Sequence, residues 1–287
     1  MKTNIITKEV KDQIVQKIRG WWEVNGGSGP AVIGISGGKD SSVVAALCVA
    51  ALGRDKVLGV LMPNGKQKDI SDSQKLCKHL KITSVTINIA EITSKFLQAI
   101  HDMNQGFTDN KNLNNVKWNA PFKLRADYTR YTTNIPPRVR MTLLYAVAQN
   151  FDGRVIGTGN AAESYIGWTT LFGDLAGDFN PIKNLFVDEV VDLGRMLGLP
   201  KELVEKKPAD GLTDKTDEEN LGFTYADVKK VALKVPEWQI KDAAFGTFTP
   251  FAAIECKHKA TAFKGEIVNV PGIDFYRDKY GYITSVK

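Results

Sequence analysis

The stretch AVIGISGGKDSS (Ala31–Ser42) decides the fold. Ala31 to Ile35 is short, apolar, rich in β-branched residues and bounded by glycine, the pattern of a strand buried on both faces. It runs directly into Ser36, Gly37, Gly38, Lys39, Asp40, Ser41 and Ser42, and then into an apolar run of helical length ending at Leu52. A loop between a strand and a helix start presents unpaired backbone N–H groups at the positive end of the helix dipole. Glycines let that backbone close on phosphate oxygens without Cβ clashes. The serines add hydroxyl donors and Lys39 adds charge. Asp40 is the odd member, because a carboxylate repels phosphate; it makes sense if a divalent cation bridges the two. A Walker loop needs Ser or Thr after GK, whereas Asp40 follows Lys39. Gly34, Gly37 and Gly38 do not supply the dinucleotide fingerprint GxGxxG. The structural alternative is a plain βα turn that needs glycine for geometry alone.

Outward from this loop, strands and helices alternate. Val10, Ile14, Ile18 and Trp21 have the spacing of one helix face over 8–22. Further strands are expected at 57–62, 82–89 and 154–159, and helices at 69–80, 91–103, 187–198 and 225–234. A helix over 134–150 places Pro136 and Pro137 in its first turn. Residues 104–133 show no regular pattern, 206–222 read as a polar loop, and the tail beyond 234 as irregular. The alternation predicts an α/β fold, a parallel sheet with helices on both faces. No repeat or low-complexity linker divides the chain, so residues 1–287 read as one domain with its core over about 10–260.

Composition narrows the class. Hydrophobic residues at 43% and charged residues at 24% exclude disorder, collagen and coiled coil as the main architecture. The longest apolar stretch, Val43–Leu52, is too short to cross a bilayer, and the N-terminus lacks the apolar core of a signal peptide. A cytoplasmic protein with no membrane partner is expected. The three cysteines form no CxxC, and three histidines make a His-built zinc site a poor expectation. The net charge of +6 without a run of five basic residues fits a small polyanionic substrate better than nucleic acid.

SGGKDS resembles the pyrophosphate loop, SGGxDS, of the PP-loop ATP pyrophosphatases, whose fold is Rossmann-like (adenine nucleotide alpha-hydrolase-like). Four further stretches are similar to the NAD synthetase family, in the family's order. They are NIPPRVRM (134–141), GTGNAAES (157–164), FGDLAGDFNPIKNL (172–185) and KPADGLTDKTDEENLGFTY (207–225), followed by the pair His258–Lys259. The resemblance implies that Gly34, Ile35, Ser36, Gly37, Gly38, Lys39, Asp40, Ser41 and Thr158 meet ATP. It assigns Arg138, Asp178, His258 and Lys259 to deamido-NAD, and Asp40 with Glu163 to Mg2+. Asp174 is the candidate for taking the proton from incoming ammonia. The family usually has lysines where this chain has Leu171 and Val187, and Ser or Thr where Ala209 stands; Lys183 is a candidate substitute for one charge.

The activity so implied is ATP-dependent amidation of deamido-NAD with ammonia through an acyl adenylate, releasing AMP and pyrophosphate. At this length there is no room for the glutaminase domain of the glutamine-using relatives. The alternatives are an RNA-modifying PP-loop enzyme, whose thiolating members carry paired cysteines, and a non-catalytic nucleotide-binding relative. The resemblance also implies a homodimer. The apolar stripe Met141, Leu144, Tyr145 and Ala148 is able to pack on its copy, the alternative being that it simply faces the sheet; a dimer would bring His258 and Lys259 to the neighbour's substrate.

Overall fold

In the computed structural model, residues 6–66, 70–109, 129–206, 216–234 and 250–287 are described. The first half runs α1 (Lys8–Asn25), β1 (Ala31–Gly34), α2 (Lys39–Leu52), β2 (Val57–Leu61), α3 (Ile70–Leu80), β3 (Thr83–Thr86) and α4 (Ala90–Asp109). Next come α5 (Thr129–Asn150), β4 (Arg154–Val155), α6 (Ala161–Ile166), α7 (Val187–Met196) and α8 (Lys201–Val204). The chain closes with α9 (Asp217–Leu221), α10 (Tyr225–Ala232), α11 (Pro250–Thr261), α12 (Phe263–Ile267), β5 (Phe275–Arg277) and β6 (Ile283–Val286).

The first four strands form one parallel sheet in the order β3-β2-β1-β4. Ala31 and Ile33 of β1 pack into a cluster with Val10, Ile14 and Ile18 of α1 and Val43 and Leu47 of α2. Val32, between them in sequence, joins the opposite cluster with Val139 and Ala148 of α5. Alternate residues of one strand therefore bury into helices on opposite faces, as the near-continuous apolar run requires. The α/β expectation holds.

β1 is interior, with its chain continuing to β2 on one side while β4 joins on the other. This reversal of strand order is the switch point at which open parallel sheets leave a crevice beyond the strands' carboxyl ends. The ladder extends past both strands: the Ile35 N–H donates to the Val60 carbonyl at 2.9 Å, and that of Ile156 to Val32 at 3.0 Å.

Several sequence expectations need correction. The strand expected over 82–89 is four residues long and exposed, because β3 is the sheet edge. The strand expected over 154–159 pairs only at Arg154–Val155, with one further bridge from Ile156 to Phe179. Helices α4 and α5 both run into 104–133; only 110–128 lie outside the described residues. Pro136 and Pro137 consequently sit inside α5 rather than in its first turn. Two ladder donors are missing there, and neighbouring packing holds the helix instead. Residues 207–215, including Ala209, lie outside the description, but α9 occupies the end of the expected polar loop.

Within the tail, residues 250–287 carry regular structure; 235–249 lie outside the described residues. β5 and β6 pair antiparallel, and Phe275 and Ile283 join the α1 cluster. Glu189 of α7, fully buried, ties this hairpin down: Arg277 Nη2 donates to its Oε2 at 2.9 Å and Lys229 Nζ lies 2.9 Å from Oε1. Glu189→Ala leaves both cations without their buried carboxylate. It is expected to cost about 3–5 kcal/mol, read from the urea midpoint; a midpoint unchanged from the native protein's would contradict this account.

Candidate active site

The two glycine-bearing loops at the switch point build the site. After β1, Gly37 adopts φ of +79°, a conformation glycine reaches without strain, and Gly38 caps α2 in extended conformation. The serines fold the loop onto itself. The Gly38 N–H donates to Ser36 Oγ at 3.2 Å, Ser36 Oγ lies 3.0 Å from Ser41 Oγ, and Ser42 Oγ donates to the Gly38 carbonyl at 2.7 Å. The loop's own hydrogen bonds thus set its shape.

After β4, Gly157, Thr158 and Gly159 lead to Asn160, the N-cap of α6. Thr158 is half-buried at the strand's carboxyl end. Asn160 is fully buried and serves both loops. Its Oδ1 accepts from the N–H groups of Ala162 (3.0 Å) and Glu163 (3.1 Å), while its own N–H donates to Glu163 Oε2 at 3.1 Å. Its Nδ2 donates across to Asp40 Oδ1 at 3.3 Å. One residue, through its side-chain amide and its backbone N–H, thereby holds Asp40 and Glu163 against the same space.

The electrostatics follow from that convergence. Burial, followed by the charge of Asp40, pushes the Glu163 carboxyl up to about 8. Lys39, only 4% exposed, donates to Asp40 Oδ2 at 2.8 Å. Burial works to lower its basicity, but Asp40, Glu163 and Asp217 more than offset that and raise it. No group of three or more His, Cys, Asp or Glu residues suited to a metal occurs among the described residues. Two carboxylates alone fit a hard cation that takes its other oxygens from phosphate and water, as magnesium does, and do not fit a dedicated zinc cage.

A second group of residues adjoins this pair. Arg138 Nε donates to the Leu171 carbonyl at 3.2 Å, and Thr170 Oγ1 lies 2.6 Å from Asn134 Oδ1, so α5 and the 167–176 loop are stitched together. The Thr170 N–H donates to Asp174 Oδ1 at 2.6 Å. Burial of its carboxyl group raises Asp174 above the ordinary range against the pull of that amide, although the residue as a whole is exposed. Its charge is felt by Glu163 and by Arg140, which donates to the Met62 carbonyl at 3.2 Å.

Other expected site residues lie apart or are already engaged. Asp178 accepts from the Val155 N–H at 2.8 Å and from Tyr145 Oη at 3.3 Å, locking β4 to α5. His258 stacks on Tyr165 of its own chain at 4.0 Å and donates through Nδ1 to that residue's carbonyl at 2.8 Å. Its position beside α6 therefore needs no neighbouring chain. Lys259 is solvent-exposed, 3.9 Å from Glu255. Lys183 is held by Asn269 and the Val270 carbonyl. The α5 stripe faces the sheet: Leu144 packs against Gly34, and Ala148 is buried with Val32.

Sequence reasoning assigned no role to four contributors. The Asn160–Glu163 pair spells a capping box, a visible signal for Asn160. Asp217 and Tyr225 lie in the quoted stretch KPADGLTDKTDEENLGFTY, but the hydrogen bond from Tyr225 Oη to Asp217 is visible only in the structure. Lys264 of α12 holds the Gly167 and Thr169 carbonyls at 2.8 and 2.6 Å, bracing the loop that carries Asp174.

Two outcomes are expected. Asn160→Ser keeps a good N-cap but loses the bond to Asp40. Stability should change by less than about 1 kcal/mol, while turnover falls by about tenfold or more, as for lost outer-shell partners. Turnover equal to the native enzyme's would exclude the bridging role. For Glu163, the folded protein retains a proton between pH 4.5 and about 8 that the unfolded chain releases. Stability in metal-free buffer should therefore fall as pH rises through that window. Melting temperatures of Glu163→Gln should lack this component; identical pH profiles would refute it.

The NAD synthase family profile matches residues 9–247. The chain is 37% identical over 211 residues to the NH(3)-dependent NAD(+) synthetase of Thermococcus sibiricus, covering 73% of this chain and 74% of that protein. The structure of NMN synthetase from Francisella tularensis superposes with a TM-score of 0.72 at 30% identity, covering 90% of this chain and 94% of that one. An NH3-dependent NAD synthetase from Campylobacter jejuni shares the fold with a TM-score of 0.66 at 24% identity, over 90% and 95% of the two chains. A parallel sheet whose switch point joins an SGGKDS loop to a GTGN loop is thus matched in sequence and in fold, and the chain belongs to the NAD synthase family.

Proposed function

We propose that this chain amidates the nicotinate carboxylate of deamido-NAD with ammonia, through an acyl adenylate. The observation that carries the reading is the meeting of Asp40 and Glu163 at the switch point, beside a glycine loop that opens α2. Membership of the family makes the chain a ligase forming a carbon–nitrogen bond with ATP as a substrate.

A carboxylate is a poor electrophile, so it must first acquire a leaving group. Its oxygen attacks the α-phosphorus of ATP, and the bond to the bridging oxygen breaks to release pyrophosphate. The amides at Gly37, Gly38 and the α2 start, with the loop serines and Lys39, receive the developing negative charge as fixed dipoles. Asp40 and Glu163 would hold magnesium, which when bound neutralises that same charge. Ammonia then attacks the acyl carbon, AMP departs, and Asp174 takes the surplus proton, a role its raised carboxyl suits. Thr158 lies at the ATP side. Arg138 is the deamido-NAD contact best supported by geometry, since it shares the 167–176 loop with Asp174. Asp178, His258 and Lys259 act on that substrate by family resemblance.

A mononucleotide reading has one observation in its favour, the 30% identity and high coverage shared with an NMN synthetase. Nicotinate mononucleotide carries the same reacting carboxylate. A homodimer is also part of the proposal. Its support is now the exposed apolar residues of α4, Ile92, Phe96 and Met103, with Val85 on the edge strand, in place of the α5 stripe. No helix among the described residues is long and apolar enough to cross a membrane, and a cytoplasmic enzyme remains the reading from composition.

Incubation with ATP, magnesium and ammonium should yield AMP, pyrophosphate and NAD from deamido-NAD, with nicotinate mononucleotide offered in parallel. Faster amide formation from the mononucleotide would transfer the assignment to it. Asp40→Asn should retain the fold and lose nearly all pyrophosphate release; native turnover at saturating magnesium would remove Asp40 from the cation site. Sedimentation should give about twice the 31.6 kDa chain mass, and a fully active monomer would refute the dimer.

A further inference from the structure

Three cations from three different helices converge on the five residues Gly167–Leu171. Lys264 of α12 donates to the Gly167 and Thr169 carbonyls at 2.8 and 2.6 Å. Lys257 of α11 sets its Nζ over the Trp168 ring, 4.5 Å from the centroid. Arg138 of α5 donates to the Leu171 carbonyl at 3.2 Å. Carbonyls and a ring face orient a cation without neutralising it. Among the described residues, none of the three forms an ion pair; Glu255 of α11 lies 3.9 Å from Lys259 instead. Asp174, the carboxylate of the same loop, acts on Lys264 only from beyond ion-pair distance and is engaged by the Thr170 N–H. Partial burial lowers the basicity of both lysines, and the charge of Lys264 lowers that of Lys257 further. Like charges gathered partly out of water with no counter-ion are unfavourable, and a bound anion offsets that cost.

We propose that these cations grip the 5′-phosphate on the nicotinate half of the pyridine nucleotide, Lys257 and Arg138 meeting its oxygens while Lys264 adds charge from the carbonyls it already holds. This rests on the reading of the chain as an enzyme that amidates a nicotinate carboxylate beside Asp174. The nicotinate half carries one anion besides that carboxylate, and it is this phosphate. Asp174 and the three cations share one loop, so a nucleotide with its carboxylate at Asp174 brings the phosphate along the same segment. Guanidinium and ammonium groups suit phosphate oxygens, the first by paired donors and the second as a point charge. The grip recognises what deamido-NAD and nicotinate mononucleotide have in common. The mononucleotide's phosphate is a monoester with a charge of about −1.5 to −2 at neutral pH, whereas each phosphate of the dinucleotide carries a single charge. Three uncompensated cations match the monoester better, so the grip acts more strongly on the mononucleotide.

Calorimetric titration of the full chain with nicotinate mononucleotide, deamido-NAD and nicotinate riboside, which lacks the phosphate, tests this without turnover. Lys257→Gln should weaken the mononucleotide about tenfold and deamido-NAD about threefold, and leave the riboside's affinity unchanged. Lys257→Arg should restore most of the loss, since it returns the charge to the same ring face. A melting temperature equal to the native protein's shows that each variant is folded. Mononucleotide affinity unaffected by Lys257→Gln would overturn the grip. So would an equal loss of the riboside, which would place Lys257 in the packing of the loop rather than on phosphate. A native protein that binds neither nucleotide would instead overturn the amidation reading. Inorganic phosphate then decides the grip: binding lost in Lys257→Gln keeps it as an anion site, and no binding to the native protein removes it.

Discussion

One buried amide sets the geometry on which the site depends. Asn160 caps α6 with its Oδ1, gives its N–H to Glu163 and reaches across to Asp40 with its Nδ2. It has no access to water, so any of these groups left unpaired would carry a desolvation penalty of about 1–3 kcal/mol. The three contacts therefore form together. The distance between the acidic side chains of two different loops is coupled to the start of a helix, which is stiffer than either loop alone. That coupling is possible because β1 and β4 are neighbours, so their carboxyl ends open on one crevice.

Holding two carboxylates together has an electrostatic consequence that the surroundings answer in several ways. Glu163 is pushed up to about 8, so a proton is one available neutraliser near neutral pH. Lys39 is another, and its placement against the α2 dipole is tolerable only because the acids are there. A cation shared with phosphate, as in the proposed reaction, would be the third.

The fold was legible where local pattern and burial coincide. β1 reads as a buried strand because both faces are covered, and the glycine loop reads as a phosphate cradle because strand, glycines and helix follow without a gap. Asp40 and Glu163 were each identifiable from such loops, but their bridge was not, since Asn160 and Asp40 are 120 positions apart. The amphipathic stripe of α5 was legible as apolar, but its spacing fits a copy of the chain or the sheet equally well; Ala148 buries with Val32 of the sheet. Pro136 and Pro137 were read as a helix start because proline suits a first turn, and tertiary packing overrides that preference here. The Thr216–Glu219 capping box of α9 was present in sequence inside a stretch whose polarity read as loop.

The C-terminal segment, which lacks a clear period in sequence, proves to be what stiffens the site. α6 is six residues long, far below the length at which a helix is stable in water on its own. Its cap orders the first turn but cannot fix the direction of the axis. That is done by packing: Ala162 and Ile166 bury against Tyr225 and Val228 of α10 and Ile254 of α11. His258 adds its stack on Tyr165, and Lys264 clamps the two carbonyls just beyond the helix. The orientation of Glu163 toward Asp40 thus derives from residues some sixty to a hundred positions downstream that need not touch a substrate. Truncating Ile254 would loosen α6 while leaving every polar group of the site in place, so its effect belongs to the geometry of the acidic pair rather than to any lost ligand contact.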